Sequence, residues 1–302
     1  MKGIVLAGPT GVGKTDLSLK LAKLIDGDII SSDSAQVYKE MNIGTAKIKE
    51  EEMGDVKHYM LDVLYPTKKY SVGDYQRAVD KILAEKEKEK RPVILTGGTG
   101  LYINAIVKGL SDLPEGNKEI REKLSQLSVD ELYEKLLEVD KESAESIHKN
   151  NRKRVERALE VYMLTGEKFS IASKRNIKNN NYKFLKVCLV RDRESLYERI
   201  DLRVEIMLKD GLLEEVKYLY DKYGGEILKK INIIGYSELI DYIEGKISFE
   251  KAVEQIKKNS RRYAKRQLTW FNNDDEYLYF NLEHQTEKEV LKSILEHYLK
   301  LF

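Results

Sequence analysis

One cysteine, Cys188, in 302 residues excludes an internal disulfide and any cysteine-based zinc finger, and a reducing compartment is its simplest home. It sits in the apolar run Val187-Cys188-Leu189-Val190, the setting of an inert core residue. Long hydrophobic runs are missing as well. The first, Gly3 to Ala7, is too short for a secretory signal and leads straight into a glycine loop, and no later stretch approaches membrane-spanning length, so a soluble cytoplasmic protein is expected. Strong charge of one sign is also lacking. With a formal net charge of +2, any affinity for a polyanion must come from local clusters of Lys and Arg. No internal repeat or low-complexity tract stands out. What is present is 41% hydrophobic and 34% charged side chains, the balance of a globular protein with one large domain or two smaller ones.

Short apolar runs bounded by Gly and Asp occur at Ile4 to Ala7, Asp28 to Ser31 and Val93 to Thr96, alternating with segments of helical period such as Leu17, Leu21, Leu24. That alternation predicts an α/β fold, a parallel sheet covered by helices. From about Asn117 to Gly166 strand signals vanish, while Ile120, Leu124, Leu127, then Leu132, Leu136, then Val155, Leu159, Tyr162 recur at three to four residues. An inserted all-helical domain over 114–183 follows, with 1–113 plus 184–302 as the core. The Asn-Lys-rich stretch Asn176 to Lys183 reads as a mobile connector, Phe184 to Val190 as a returning strand, and the rest to Phe302 as mainly helical. Glu85 to Lys90 alternates charge and reads as a solvated helix end.

Gly8-Pro9-Thr10-Gly11-Val12-Gly13-Lys14-Thr15 fits the phosphate-loop pattern, and both required contexts are present: the strand Ile4 to Ala7 before it and a helical run from Asp16 after it. The chemistry accounts for the spacing. Glycines let backbone N–H groups turn inward around a phosphate, the helix start adds partial positive charge, Lys14 spans two phosphates, and the Thr15 hydroxyl can ligate magnesium. Whether those phosphates belong to a nucleotide or to another pyrophosphate is not specified by the motif.

Asp33 follows the second strand, at the carboxyl edge of the sheet where ligands bind in open parallel sheets. A carboxylate there could bind magnesium, take a proton from a nucleophile, or cap a following helix. A second glycine turn, Gly97-Gly98-Thr99-Gly100, belongs on the same edge and could equally serve only close packing. Arg154 and Arg157 share a helix face. Arg261, Arg262, Lys265 and Arg266 are packed with Tyr263, Trp270 and Phe271 in a stretch free of acids, a patch suited to a phosphodiester backbone with exposed bases; a solvated helix face is the alternative for each cluster. Arg199 and Arg203 share a helix face, where surface ion pairs with Asp201 or Glu205 would be the plain reading.

Taken in order, GPTGVGKT at 8–15, DSAQVY at 33–38, GTAK at 44–47, YSVGDY at 70–75, GGTGLY at 97–102, IHKNNRKRVERALEV at 147–161, IGYSE at 234–238 and RRYAKRQLTWF at 261–271 resemble the bacterial tRNA dimethylallyltransferases over nearly the whole chain. Departures from the family pattern are Ile48 for a common Pro, His58-Tyr59 for a His-His pair, Asn151 for an Asp and Ser237 for a Lys. The resemblance implies a phosphate-loop NTPase-like core, Mg2+ as cofactor, and transfer of a dimethylallyl group from dimethylallyl pyrophosphate to the N6 amine of the adenine beside the anticodon of tRNA (position 37). It implies that the pyrophosphate lies on residues 8–15, that Asp33 is the general base with Ser34, Ala35 and Gln36 along the base-reading wall, and that Arg203 and magnesium on Thr15 steady the leaving group. By the same likeness, Thr99, Arg121, the stretch Lys153, Arg154, Val155, Glu156, Arg157 and the stretch Asn232, Ile233, Ile234, Gly235, Tyr236, Ser237 touch tRNA, the helical insertion grips the anticodon stem-loop, and a monomer with no obligate protein partner is expected.

Two other classes share parts of this pattern. A small-molecule or nucleotide kinase has the loop, sheet and magnesium but no need of the basic-aromatic patch or the long helical tail. An NTP-hydrolysing or non-enzymatic RNA-binding protein would use the loop as a switch, leaving Asp33 without chemical work.

Overall fold

The computed structural model describes residues 2–175 and 182–301. Six strands form one sheet: β1 (Lys2–Ala7), β2 (Asp28–Ser31), β3 (His58–Tyr59), β4 (Val93–Gly97), β5 (Lys183–Val190) and β6 (Leu278–Asn281). Their order is β3-β2-β4-β1-β5-β6 and every neighbouring pair is parallel. Among the helices of the core, α1 (Lys14–Ile25), α2 (Glu50–Met53), α3 (Val72–Lys88) and α4 (Gly100–Val107) come from the first third of the chain. Helices α5 (Lys118–Ser125), α6 (Val129–Val139), α7 (Lys141–Ser146), α8 (Arg152–Thr165) and α9 (Phe169–Ala172) follow. The last part contributes α10 (Arg193–Lys209), α11 (Leu212–Tyr223), α12 (Gly225–Ile231), α13 (Tyr236–Ile243), α14 (Phe249–Phe271) and α15 (Glu287–Leu301).

The chain divides into two compact units, one of Met1–Val107 with Asn181–Phe302 and one of Lys108–Asn180. In the larger unit both faces of the sheet are covered, which is why β1 reads as a continuous apolar run rather than an alternating one. Ile4 and Leu6 face one apolar cluster with Leu17 and Leu21 of α1, and Val5 and Ala7 face another with Tyr75 and Val79 of α3. A third cluster gathers α11, α13 and α14 around Tyr236 and Leu239. The smaller unit has its own core of Leu124, Leu132, Leu136, Val155 and Leu159. Its stitching is polar: buried Asp140 accepts from Ser143 N and Oγ and from Ser170 N and Oγ at 2.6–3.1 Å, capping α7 and tying α9 to it.

Three expectations change. β6 interrupts the terminal helices as the outer strand beside β5. No helix directly follows β2 for Asp33 to cap; residues 34–37 form a turn leading to an isolated bridge between Tyr38 and Leu64. Lys86, within the supposedly solvated end of α3, is 1% exposed and pairs with the fully buried Asp28 at 3.0 Å and with Glu89 at 2.7 Å. Asp28 also binds Arg91 at 2.7 Å, so the charges are mutually satisfied. Cys188 is fully buried and burial pushes its thiol up to about 12, as an inert residue requires. Asn176 to Asn181 of the proposed connector lie outside the described residues, and Lys183 begins β5.

Candidate active site

The strand register brings Ala7, Ser31 and Gly97 to one edge, with β4 between β1 and β2. The turn after β4 therefore stands between the phosphate loop after β1 and the Asp33 turn after β2. Ser34 N donates to Thr99 Oγ1 at 3.1 Å, and Thr99 N to Ser32 O at 3.1 Å, fastening one side. Below them Tyr75 stacks on Tyr102 with centroids 4.1 Å apart and its hydroxyl bonds Ser32 Oγ and Ser31 O, so the end of β2 is held from within.

The phosphate loop is held from outside. Gly8 has φ +148° and a Cβ there would meet the Leu189 carbonyl at 2.6 Å, so only glycine lets the loop lie against β5. Arg199 Nε donates to Gly11 O at 3.0 Å and Arg191 Nε to Val12 O at 3.1 Å. Lys14, the first residue of α1, donates to the carbonyls of Gly8 at 2.9 Å and Pro9 at 2.8 Å. Burial, with the positive charge of Arg203 beside it, lowers its ammonium to about 8 against the pull of Asp33. Arg203 is likewise lowered from its usual value by burial, opposed by Asp33. An Arg, a Lys and an Asp thus sense one another at the sheet edge. The ion pairs with Asp201 or Glu205 that were the plain alternative for Arg199 and Arg203 do not form: Asp201 pairs with Arg261 at 2.5 Å and Glu205 with Lys257 at 2.7 Å.

Two cavities open here, of about 390 and 370 Å³. The first is lined by Thr10, Gly11, Gly13, Lys14 and Thr15 of the loop and by apolar Ile48, Leu61 and Ile206. The second is lined by Ser34 and Ala35, by Asn232 to Gly235, and by Ser237. They share Thr10, Asp33, Arg203 and Tyr263, so the carboxylate and the guanidinium stand where the two spaces meet. Asp33 Oδ1 also accepts from Ala35 N at 2.8 Å, which aims the side chain within its turn.

Other expected residues fall elsewhere. Gly8 and Pro9 support Lys14, and Val12 is wholly buried, so the cavity wall is made by 10, 11 and 13–15. Gln36 lines the first cavity and donates to Thr45 O at 3.3 Å; it is not among the residues lining the second. Tyr236 is fully buried and its hydroxyl donates to Glu215 at 2.6 Å, so it offers no surface to a ligand. Glu215 in turn accepts from the backbone N–H groups of Asn42, Ile43 and Gly44 at 2.8–3.1 Å, shaping the loop before Thr45; sequence gave it no signal. Val155, 1% exposed, belongs to the core of the smaller unit. Arg121 and Arg157 both bind buried Glu160, at 2.7 and 2.5 Å, and Glu156 pairs with Arg152 at 2.7 Å, leaving Lys153 and Arg154 as the exposed cations of that cluster. On α14, Arg261 is taken by Asp201, whereas Arg262, Lys265, Arg266 and Trp270 are exposed.

Among the described residues no group of three or more His, Cys, Asp or Glu side chains could hold a metal, and no helix is long and apolar enough to cross a membrane. A doubly covered parallel sheet with a lysine-bearing phosphate loop at its carboxyl edge, opening on a second cavity through a carboxylate, defines a phosphate-loop α/β protein built to bring two substrates together. The model of the IPP transferase family matches residues 36–274, and the chain belongs to that family. It is 55% identical to the tRNA dimethylallyltransferase of Fusobacterium nucleatum over 293 residues, 97% of this chain and 96% of that protein, and 44% identical to that of Clostridioides difficile over 98% and 97%. Among solved structures it is similar to a tRNA delta(2)-isopentenylpyrophosphate transferase from Staphylococcus epidermidis (TM-score 0.73, 39% identity, 100% of this chain and 99% of that one). It is also similar to a eukaryotic dimethylallyltransferase acting on tRNA (TM-score 0.83, 28% identity, 97% and 77%).

Proposed function

We propose that the protein is a cytoplasmic tRNA dimethylallyltransferase that moves the dimethylallyl group of dimethylallyl pyrophosphate to the N6 amine of the adenine beside the anticodon, at position 37. The observation that carries this is the pair of cavities joined at Asp33 and Arg203. Pyrophosphate lies along residues 10, 11 and 13–15 and the prenyl chain against the apolar residues of the same cavity; the adenine enters the other cavity, extruded from its loop. Facing the two substrates in line supplies much of the rate, because the exocyclic amine is a poor nucleophile.

In the reaction the amine nitrogen forms a bond to the allylic carbon as the carbon–oxygen bond breaks, and that electron pair leaves with pyrophosphate. Asp33 accepts the amine proton. Lys14 and Arg203 stabilise the charge gathering on the leaving oxygens, in a site where their own lowered basicity reflects how little water screens them. The Thr15 hydroxyl on the first cavity is a hard oxygen donor of the kind Mg2+ takes alongside phosphate oxygens and waters, so an acidic cluster is unnecessary. Magnesium bound there would add charge neutralisation at the pyrophosphate. Arg262, Lys265, Arg266, Lys153 and Arg154 meet tRNA phosphates, with the helical unit gripping the anticodon stem-loop. The protein needs no partner subunit for this.

The test is to incubate the protein with magnesium, unmodified tRNA and either dimethylallyl pyrophosphate or ATP, then analyse digested nucleosides by mass spectrometry. Prenylated adenosine only with the first donor is the expected result. Phosphate release from ATP without RNA modification would instead point to an NTP-hydrolysing protein.

A further inference from the structure

Gln267 on α14 is 5% exposed and reaches back to the sheet edge. Its Oε1 accepts from Thr10 N at 2.9 Å, and its Nε2 donates to Gly98 O at 2.9 Å. Thr10 belongs to the phosphate loop and Gly98 to the turn after β4, 257 and 169 residues away in sequence. The amide cannot flip, because a backbone N–H demands the oxygen and a backbone carbonyl the nitrogen. The approach is too close for any side chain at Gly98, where a Cβ would overlap the Gln267 amide, and the Trp270 ring one turn on leaves no room at Gly100. Removing the amide would strand the buried Gly98 carbonyl and release the half-buried Thr10 N–H. The roughly opposite face of the same helix presents Arg262 and Lys265 to solvent.

We propose that Gln267 is a positioning residue for the phosphate cradle: one amide clasps the loop to the neighbouring glycine turn and fixes the direction of the Thr10 peptide, and through it the N–H groups that meet the pyrophosphate. It touches neither reacting atom. The inference rests on the reading of the first cavity as the pyrophosphate site, and its test separates the two.

Inorganic pyrophosphate with magnesium is titrated calorimetrically into the wild-type protein and into Gln267→Met, which keeps length and loses both bonds. Wild-type binding is expected, with the Met variant weaker by roughly tenfold or more, about 1.4 kcal/mol or above, because both hydrogen bonds of the amide are lost. Binding of an anticodon stem-loop RNA should change by less than about twofold. Gln267→Glu supplies a second readout, since its carboxylate can accept from Thr10 N but only the acid form can also donate to Gly98 O. Its pyrophosphate affinity relative to wild type should therefore improve as pH falls, because the cavity's own ionisable groups, Lys14, Asp16, Asp33, His58, Arg199, Arg203 and Tyr263, are common to both proteins. Failure of the wild type to bind pyrophosphate would overturn the assignment of the cavity. Unchanged affinity in both variants, or equal weakening toward pyrophosphate and RNA, would overturn the positioning role and leave Gln267 a packing residue.

Discussion

The cations of the two units are used in opposite ways. At the sheet edge burial lowers the basicity of both Lys14 and Arg203, the Arg203 charge lowers Lys14 further, and Asp33 opposes this only in part. In the smaller unit Arg121 and Arg157 converge on Glu160, which is 1% exposed and also accepts from Asn117 N at 2.8 Å. Burial would raise the Glu160 carboxyl, but the two guanidiniums and that N–H outweigh it and hold it below its usual range. The first arrangement leaves excess positive charge for an incoming anion; the second consumes it to lock α5 against α8. A basic motif therefore does not reveal which of its cations are available, and the acid that claims them can lie several turns away.

This contrast can be broken most severely at Asp33. Asp33→Ala should lower the single-turnover rate by about a hundredfold or more while donor affinity changes far less, since the carboxylate acts only during alkylation. Next in size, Lys14→Ala and Arg203→Ala should each weaken donor binding by roughly tenfold to a hundredfold, as for a lost charged hydrogen bond, with stem-loop affinity retained. The free-enzyme Lys14 is charged below about 8 and neutral above it, so the donor KM should rise as pH passes upward through that value. A flat KM from pH 7 to 9 would mean that Lys14 does not meet the anion.

In the smaller unit the same kind of change should read out as stability. Glu160→Ala or Asp140→Ala should cost about 1–3 kcal/mol, measured by denaturant unfolding, by stranding hydrogen-bonding groups. Burial pushes the Asp140 carboxyl up but its bonds to Ser143 and Ser170 bring it below its usual value. Its contribution is therefore complete above the unfolded-state pKa and is lost as pH falls through the lower folded one. Smallest is the salt effect. Arg262→Ala, Lys265→Ala and Arg266→Ala should each reduce the slope of log K against log salt for tRNA by up to about 0.7–0.9, whereas Arg261→Ala should leave it nearly unchanged because Asp201 already holds that cation. Equal slopes for all four would erase the distinction between free and engaged cations on α14.

What the sequence made legible follows from how local each determinant is. The phosphate loop, its strand and its helix occupy residues 2–25 without a break, and glycine spacing carries the geometry. Asp33 could be located because strand ends define an edge. Gln267, Glu215 and Glu160 could not: each is a common residue on an amphipathic helix whose partners are fixed only by tertiary packing, 257 residues away in the case of Thr10. Tyr236 and Val155 illustrate the converse, since family motifs preserve buried residues that hold a binding segment in place along with those that touch a ligand. Residues 108–116 contain no helical period, so periodicity marks the smaller unit only from its first helix.

The central claim is that the carboxylate joining the two cavities takes the amine proton. It is tested most directly by the single-turnover rate of Asp33→Asn at saturating tRNA and donor, where binding defects drop out. The variant keeps the shape and the oxygen that accepts from Ala35 N, but not the basicity, so the account predicts a loss nearly as deep as that of Asp33→Ala. Turnover near that of the wild type would contradict it and return Asp33 to a turn-capping role.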